Sequence, residues 1–422
     1  MVPDLFPFPG LRYQLGALHA DLSAVTAPPY DVIDEEGLAR LEAAHPQNAV
    51  RLILPRDVDS GDRYRRARET FDQWQADGVL AADAPHLYVY RMGFTDDAGR
   101  PRRMTGVVGA LTLSPPGEDV LPHERTMGKA KNDRLDLLRS VRANLDPIWM
   151  LSAASGLSEL LEPVLAAGAP AASCVDEDGV EHCLFPIEGD LVDRIRERIG
   201  SAPLIIADGH HRYETALAYR DEQQADGADD PGAARIMALV VELAEEQLFV
   251  QPIHRLLLGA TGNFIGKLNA VADVSPMGAN NPEGVRHLMA EMDRTESFGL
   301  VAGPGVALLR PRLETLREGL ERLPDPLWEV DTALLEVMLG KLYVQREVLR
   351  ITDDIVIDFR HDALAVAAMV AKGAVGAAIL LRPVSVAQIE AVAEAGLRMP
   401  QKTTFFQPKP LTGLVFRSLD RG

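Results

Sequence analysis

The stretch Leu204–Glu222, LIIADGHHRYETALAYRDE, changes character at a single point. PLIIA, ending at Ala207, is an apolar run of strand length. HRYETALAYRDEQQ then places Tyr213, Ala216, Leu217 and Arg220 at helical spacing. Asp208, Gly209, His210, His211 and Arg212 therefore fill the turn from a strand into a helix. The first N–H groups of a helix lack partners and its dipole is positive there, so a phosphate is favoured, and glycine lets the backbone come close. Arg212 offers a forked clamp for phosphate oxygens, while His210 and His211 can donate hydrogen bonds or shuttle a proton. Asp208 can hold Mg²⁺ or accept a proton. Plainer uses exist: Asp208 as a helix cap, Arg212 paired with an acid, one histidine in the core. Five polar residues at one strand exit exceed what capping asks, and adjacent histidines do not make the i,i+4 pair of a zinc enzyme.

The chain has 422 residues, 47% of them hydrophobic, enough for two or three domains with cores of their own. With 43 Lys+Arg against 62 Asp+Glu the net charge is -19, and no dense basic run appears, so nucleic acid is a poor partner. MVPDLFPFPGLRY lacks the basic start and continuous apolar core of a signal peptide. ALAVAAMVAKGAVGAAILL is broken by Lys372-Gly373 and reads as a short helix, a stop and a strand rather than a membrane span. A cytoplasmic protein without a membrane partner is expected, with homo-oligomer formation left open. The two cysteines, in CVDEDGVEHC, flank the hairpin signal Asp178-Gly179, which would bring Cys174, Cys183 and His182 near one another. Their spacing fits two small apolar residues better than a zinc or disulfide framework.

Three regions are expected. Residues 1–115 read as an α+β region, with NAVRLILP as a strand, DRYRRARETFDQWQADG as a helix, and HLYVYRMGF and TGVVGALTL as strands. Residues 116–258 hold the densest polar chemistry, and 259–422 form a further α+β region with two strands in YVQREVLRITDDIVIDF.

Three other clusters accompany the Asp208 turn. PHERTMGKAKNDRL carries His123, Glu124, Arg125, Lys129, Lys131, Asp133 and Arg134, a carboxylate among cations suited to a general base or a metal ligand near phosphate, or else a solvated helix start. TAPPYDVID fixes Tyr30 and Asp31 on a rigid loop, at a site or at a simple turn. MPQKTTFFQPKPLTG sets Lys402, Thr403 and Lys409 around Phe405 and Phe406, as a wall over a nucleotide or as core.

FPGLRY, TAPPYDVID, PHERT, ADGHHRYETALAYR, PIHRLL and MPQKTTFFQPKPLTG, in that order, resemble the bacterial and archaeal family catalogued as domain of unknown function number 1015, over nearly the whole chain. Within it, His123-Glu124, RLDLLRSV, Pro147-Ile148 and Asp208–Arg212 resemble the ParB/sulfiredoxin-like fold, with a helix and the cysteine hairpin inserted before the last element. The resemblance implies an α+β class: a ParB/sulfiredoxin-like core with additional N- and C-terminal α+β regions. Sulfiredoxins carry a cysteine in the corresponding turn, absent here, and partition proteins bind DNA, which the charge opposes. Small-molecule kinases that phosphorylate free L-serine from ADP or ATP remain. Their resemblance implies Glu124 as the base toward the hydroxyl, with Asp208, which would also hold Mg²⁺, and His210 assisting. It implies a nucleotide on Gly209, His210, His211 and Arg212, with His123, Arg125 and Arg134 nearby. Tyr30, Asp31, Lys402, Thr403 and Lys409 are candidate closing or substrate elements. The alternative is a regulatory protein that binds or hydrolyses nucleotide without a small-molecule acceptor. A metal-dependent hydrolase or nuclease using Asp208 and the histidines ranks behind both.

Overall fold

PLIIA forms the strand Leu204–Asp208, and the helix His210–Ala225 starts two residues later. In the computed structural model, which describes residues 2–57, 62–125, 131–227, 230–260, 262–342 and 355–421, that strand lies inside a large mixed sheet. It runs parallel to Val120–Pro122 on one side and antiparallel to Ile148–Ser152 on the other. Beyond come Arg235–Glu242, Pro101–Thr112, Leu80–Thr95, Glu181–Ile187 and Ala172–Val175. Leu204, Ile205 and Ile206 are all buried, so the strand shows no polar alternation, as befits one covered on both faces. The helices Leu157–Ala167 and Leu191–Ile199 add Leu157, Leu161, Ile195 and Ile199 to its core, and the helix after Gly209 adds Tyr213 and Ala216. Each such aliphatic side chain withdrawn from water contributes about 1.5–3 kcal/mol. Tyr213 fixes that helix against the sheet: its hydroxyl donates to the Ser114 carbonyl at 2.7 Å and accepts from the Ser114 N–H at 3.1 Å.

Contacts divide the chain into two units. The first holds Met1–Pro122, Thr126–Phe249 and Pro408–Gly422, and the second holds His123–Arg125 and Val250–Gln407. The N-terminal region and most of the polar middle region drawn from the sequence share the first unit, where residues 106–112 pair with residues 235–241. The C-terminal tail is built into this unit through buried Arg417, which donates to Asn144 Oδ1 and to the carbonyls of Arg235 and Gly232, each at 3.0 Å. Burial lowers the Arg417 guanidinium to about 10. A Cβ on Gly232 would lie 2.1 Å from the Leu419 carbonyl oxygen. Gly232→Ala is therefore expected to lower stability by about 1–3 kcal/mol, as overpacking against backbone does, which urea unfolding measures.

The second unit is an antiparallel sheet in the order Ala272–Ala279, Gly305–Pro311, Phe298–Ala302, Ala377–Leu380, His254–Leu258, Val356–Arg360. Helices Pro282–Thr295 and Ala363–Ala371 pack in one core cluster, Leu313–Leu320 and Asp331–Leu342 in another. The Ala-rich segment behaves as its sequence indicates: a helix capped by Asp362, a stop at Gly373 with φ of 72°, then the strand Ala377–Leu380. Among the described residues no helix is long and apolar enough to cross a membrane.

Two local expectations need correction. NAVRLILP holds a short helix, Val50–Ile53, rather than a strand. Asn48 Oδ1 accepts the Val50 N–H at 2.9 Å, and Val50, Leu52 and Ile53 are all buried, so the apparent alternation reflects all-round burial. The cysteine hairpin forms, but Cys174 pairs with His182 and Cys183 with Ser173. Side chains alternate along a strand, so the thiols take opposite faces, and both are free. Of the two strands expected in YVQREVLRITDDIVIDF, the second is Val356–Arg360, while the first lies outside the described residues, as does Lys129.

Candidate functional site

Gly209 joins strand to helix with φ of 91°, in the left-handed region that favours glycine. A Cβ there would meet Ile148 Cγ2 at 2.9 Å and Arg212 Nη2 at 3.0 Å, so the position excludes a side chain on two counts. Gly209 is the N-cap of the helix that follows and has no side chain with which to cap it. Asp208 is turned to other partners: Lys409 Nζ donates to its Oδ1, and Arg212 Nη2 to its Oδ2 at 2.7 Å. Arg212 also donates through Nη1 to Asp146 Oδ2, and to the Pro147 carbonyl at 2.8 Å. The result is a chain of alternating charge, Lys409, Asp208, Arg212, Asp146, beside the helix start at Gly209 in the first unit.

The charges are tightly held. Burial would raise the Asp208 carboxyl, but Lys409, Arg212 and His210 outweigh it and hold the group well below the usual carboxylate range. Burial likewise works against the Arg212 cation, yet Asp146, Asp208 and Asp31 raise it further above its ordinary value. Asp146 goes the other way: burial, with Asp31 and Asp208 nearby, raises it despite Arg212 and Arg134. Because the folded Asp208 is depressed, its stabilising contribution is complete above the ordinary carboxylate pKa of about 3.9 and is lost as pH falls below it. Asp146 contributes with the opposite sign, favouring the fold at low pH and losing that contribution as pH rises. Asp208→Asn should therefore flatten the acid side of the stability profile, which urea titrations across that range measure.

The TAPPYDVID loop belongs to the same surroundings. The Arg134 guanidinium lies 4.3 Å from the Tyr30 ring centroid, and Asp31 acts electrostatically on both Arg212 and Asp146. Arg134 also donates to Asp133 Oδ2 and to the Ile53 carbonyl. His210 and His211 stand in the first helical turn. Asp146 is the participant missed in the sequence; its signal was a carboxylate directly before the Pro147-Ile148 strand.

Mg²⁺ needs near-octahedral oxygen ligation, typically one or two carboxylates with phosphate and water oxygens. Both Asp208 oxygens already take cationic donors, and among the described residues no group of three His, Cys, Asp or Glu could hold a metal. These residues do not fit a resident ion.

In the second unit, Glu124 is bound by backbone. Its Oε1 accepts the Lys402 N–H at 2.7 Å, and its Oε2 accepts those of Thr403 at 3.0 Å and Thr404 at 3.4 Å, with the Thr404 hydroxyl at 3.4 Å. Lys402 is left-handed at φ of 57°, which turns successive N–H groups toward one point and makes a nest for an anion. His123 Nε2 bonds the Thr404 hydroxyl at 2.8 Å, and Thr403 Oγ1 donates to the Pro400 carbonyl at 2.6 Å. Arg125 approaches Glu336 at 4.0 Å. Buried Arg255, lowered to about 10 by burial, donates to the Lys402 and Gln401 carbonyls, a support the sequence did not single out. Glu124→Gln would set an amide NH₂ against N–H donors and is expected to cost about 1–3 kcal/mol, read as a lower unfolding midpoint.

The sequence-derived residues thus fall into two groups. Tyr30, Asp31, Arg134, Asp208, Gly209, His210, His211, Arg212 and Lys409 belong to the first unit; His123, Glu124, Arg125, Lys402 and Thr403 belong to the second.

No curated protein matches the chain in sequence. Among solved structures, a free serine kinase in complex with AMP aligns at 14% identity over 75% of this chain and 93% of that one, with a TM-score of 0.39. A conserved hypothetical protein from Pyrococcus furiosus aligns at 14% identity over 75% and 96%, with a TM-score of 0.37. C-terminally truncated SbnI from Staphylococcus aureus aligns at 11% over 72% and 85%, with a TM-score of 0.36. Similarity at this level assigns no residue and no reaction. The family described as Protein of unknown function (DUF1015) matches residues 5–333, more than half of the sequence, and the chain belongs to that family.

Proposed function

We propose that the protein is a nucleotide-dependent phosphotransferase that phosphorylates the hydroxyl of a small molecule, with free L-serine the first acceptor to try and ATP or ADP as donor. The observation that carries this reading is the glycine-led helix start at Gly209 beside Lys409 and Arg212. The N–H groups of a helix start and two cations are what a phosphate needs. Phosphoryl transfer asks the protein mainly for positioning and charge neutralisation, and these residues supply both. On phosphate binding, Lys409 and Arg212 exchange part of their bonding to Asp208 for phosphate oxygens, and Asp208 keeps them oriented. Mg²⁺ belongs to this reading as the nucleotide's own counter-ion, held mainly by phosphate oxygens. The role of base for Glu124 rests on the family resemblance alone.

A second reading, a regulatory protein that binds or hydrolyses nucleotide without an acceptor, is favoured by one observation: Glu124 is occupied by the N–H groups of residues 402–404. Mass spectrometry separates the two. Purified protein with Mg²⁺, ATP or ADP and a pool of amino acids and small alcohols is expected to yield a phosphorylated acceptor that Glu124→Gln, checked to be folded and to bind ADP, does not form. Free phosphate alone, or no turnover with ADP still bound, would favour the regulatory reading.

A further inference from the structure

Beside Arg212 the first unit holds a half-open cavity of about 60 Å³ that the phosphate turn does not use. It lies between the helices Lys131–Val141 and His210–Ala225, with Leu137, Leu145 and Ile236 as apolar walls and Asp146, Arg212 and Thr215 as polar lining. Thr215 is 4% exposed, and its hydroxyl has no hydrogen-bond partner among the described residues. A buried hydroxyl left without a partner costs about 1–3 kcal/mol, so its presence in an apolar wall calls for an occupant. Asp146 gives Oδ2 to Arg212 while Oδ1 has no bond among the described residues, which leaves an acceptor at the same cavity. The cations are already committed: Arg134 to Asp133, and Arg212 to Asp146 and Asp208. The cavity therefore lacks an uncommitted positive group for a carboxylate and offers instead one acceptor, one hydroxyl and an aliphatic surface.

We propose that this cavity is the acceptor site, and that the acceptor is a short aliphatic alcohol whose carbon body packs against Leu137, Leu145 and Ile236 and whose hydroxyl bonds Asp146 and Thr215. A hydroxyl suits both partners, since it donates to the carboxylate and accepts from the threonine. Size limits the class: an enclosed cavity of ~150 Å³ holds benzene, so the enclosed part of this pocket takes roughly three heavy atoms, and the rest of a short alcohol extends through its open side. Arg212 lines the cavity and also binds Asp208 at the phosphate turn, so the two sites share a side chain. The acceptor role rests on the phosphotransferase reading and puts a short alcohol in place of L-serine as its acceptor; the cavity and its lining do not rest on that reading.

The test is ligand-observed NMR on the full chain with propan-1-ol and propane-1,2-diol, with L-serine as the polar comparison and ADP binding measured in parallel. Thr215→Val keeps the shape and removes the hydroxyl, and Ala143→Leu narrows the cavity from its lining. The expected result is saturable binding of the alcohols to the wild type, about tenfold weaker in Thr215→Val and lost in Ala143→Leu, with ADP affinity unchanged in both. Should Ala143→Leu fail to fold, Thr215→Val decides alone. ADP binding without alcohol binding, alcohol binding equal in wild type and Thr215→Val, or binding of L-serine in place of the alcohols would overturn the acceptor proposal and leave the phosphate site standing. Failure of ADP to bind would remove the phosphate site and the acceptor role with it.

Discussion

Replacing Arg212 with alanine is expected to destabilise the first unit by about 3–5 kcal/mol, because it strips the common partner from two carboxylates that are largely withdrawn from solvent. Asp208 would keep Lys409, whereas Asp146 would lose its hydrogen-bonded cation. The size of the loss should depend on pH. Asp146 is already raised by burial, so without Arg212 it protonates more readily, and acid relieves the uncompensated charge. The variant should therefore lie furthest below the wild type near neutral pH and approach it as pH falls through the raised Asp146 pKa. Urea unfolding at neutral and acid pH reads both parts. A loss independent of pH would mean that Arg212 acts through packing rather than through its charge.

The second large effect concerns phosphate. Lys409→Met removes a cation that stands on Asp208 beside the helix start, while keeping an aliphatic body of similar length. A hydrogen bond to a charged group contributes about 1.5–3 kcal/mol, which corresponds to roughly a 10–100-fold loss in ADP affinity. Stability should also fall, since Asp208 loses one of its two cations, but less than in Arg212→Ala because Arg212 remains. The loss of ADP affinity should shrink at high salt, since the removed interaction is electrostatic.

Much of this was legible in the chain, for reasons that can be named. The run PLIIA, bounded by Asp208-Gly209 and followed by helical spacing, declares a buried strand, a turn and a helix through local chemistry alone. The Lys372-Gly373 stop and the Asp178-Gly179 hairpin are equally local. What escaped depends on chain pairing. NAVRLILP alternates like a strand, yet Asn48 starts a helical turn that is buried all round. The opposite facing of Cys174 and Cys183 is set by a register that no spacing rule specifies. At the site, Asp208, Gly209 and Arg212 announce themselves by concentration. Asp146 reaches Arg212 from the bend before the strand Ile148–Ser152, 66 residues earlier, and Lys409 reaches Asp208 from 201 residues later. Neither separation leaves a periodic trace. Glu124 was singled out as a bare carboxylate among cations; its N–H partners come from residues 402–404, a pairing that only folding creates.

The central claim is that the turn at Gly209 holds phosphate with Lys409 and Arg212. Isothermal calorimetry of ADP with the wild type and with Lys409→Met, at low and high salt, tests it most directly. The account predicts saturable ADP binding that weakens roughly 10–100-fold in the variant, with a difference that narrows as salt rises. Absence of ADP binding to the folded wild type, or equal affinity in the two proteins at low salt, would contradict it.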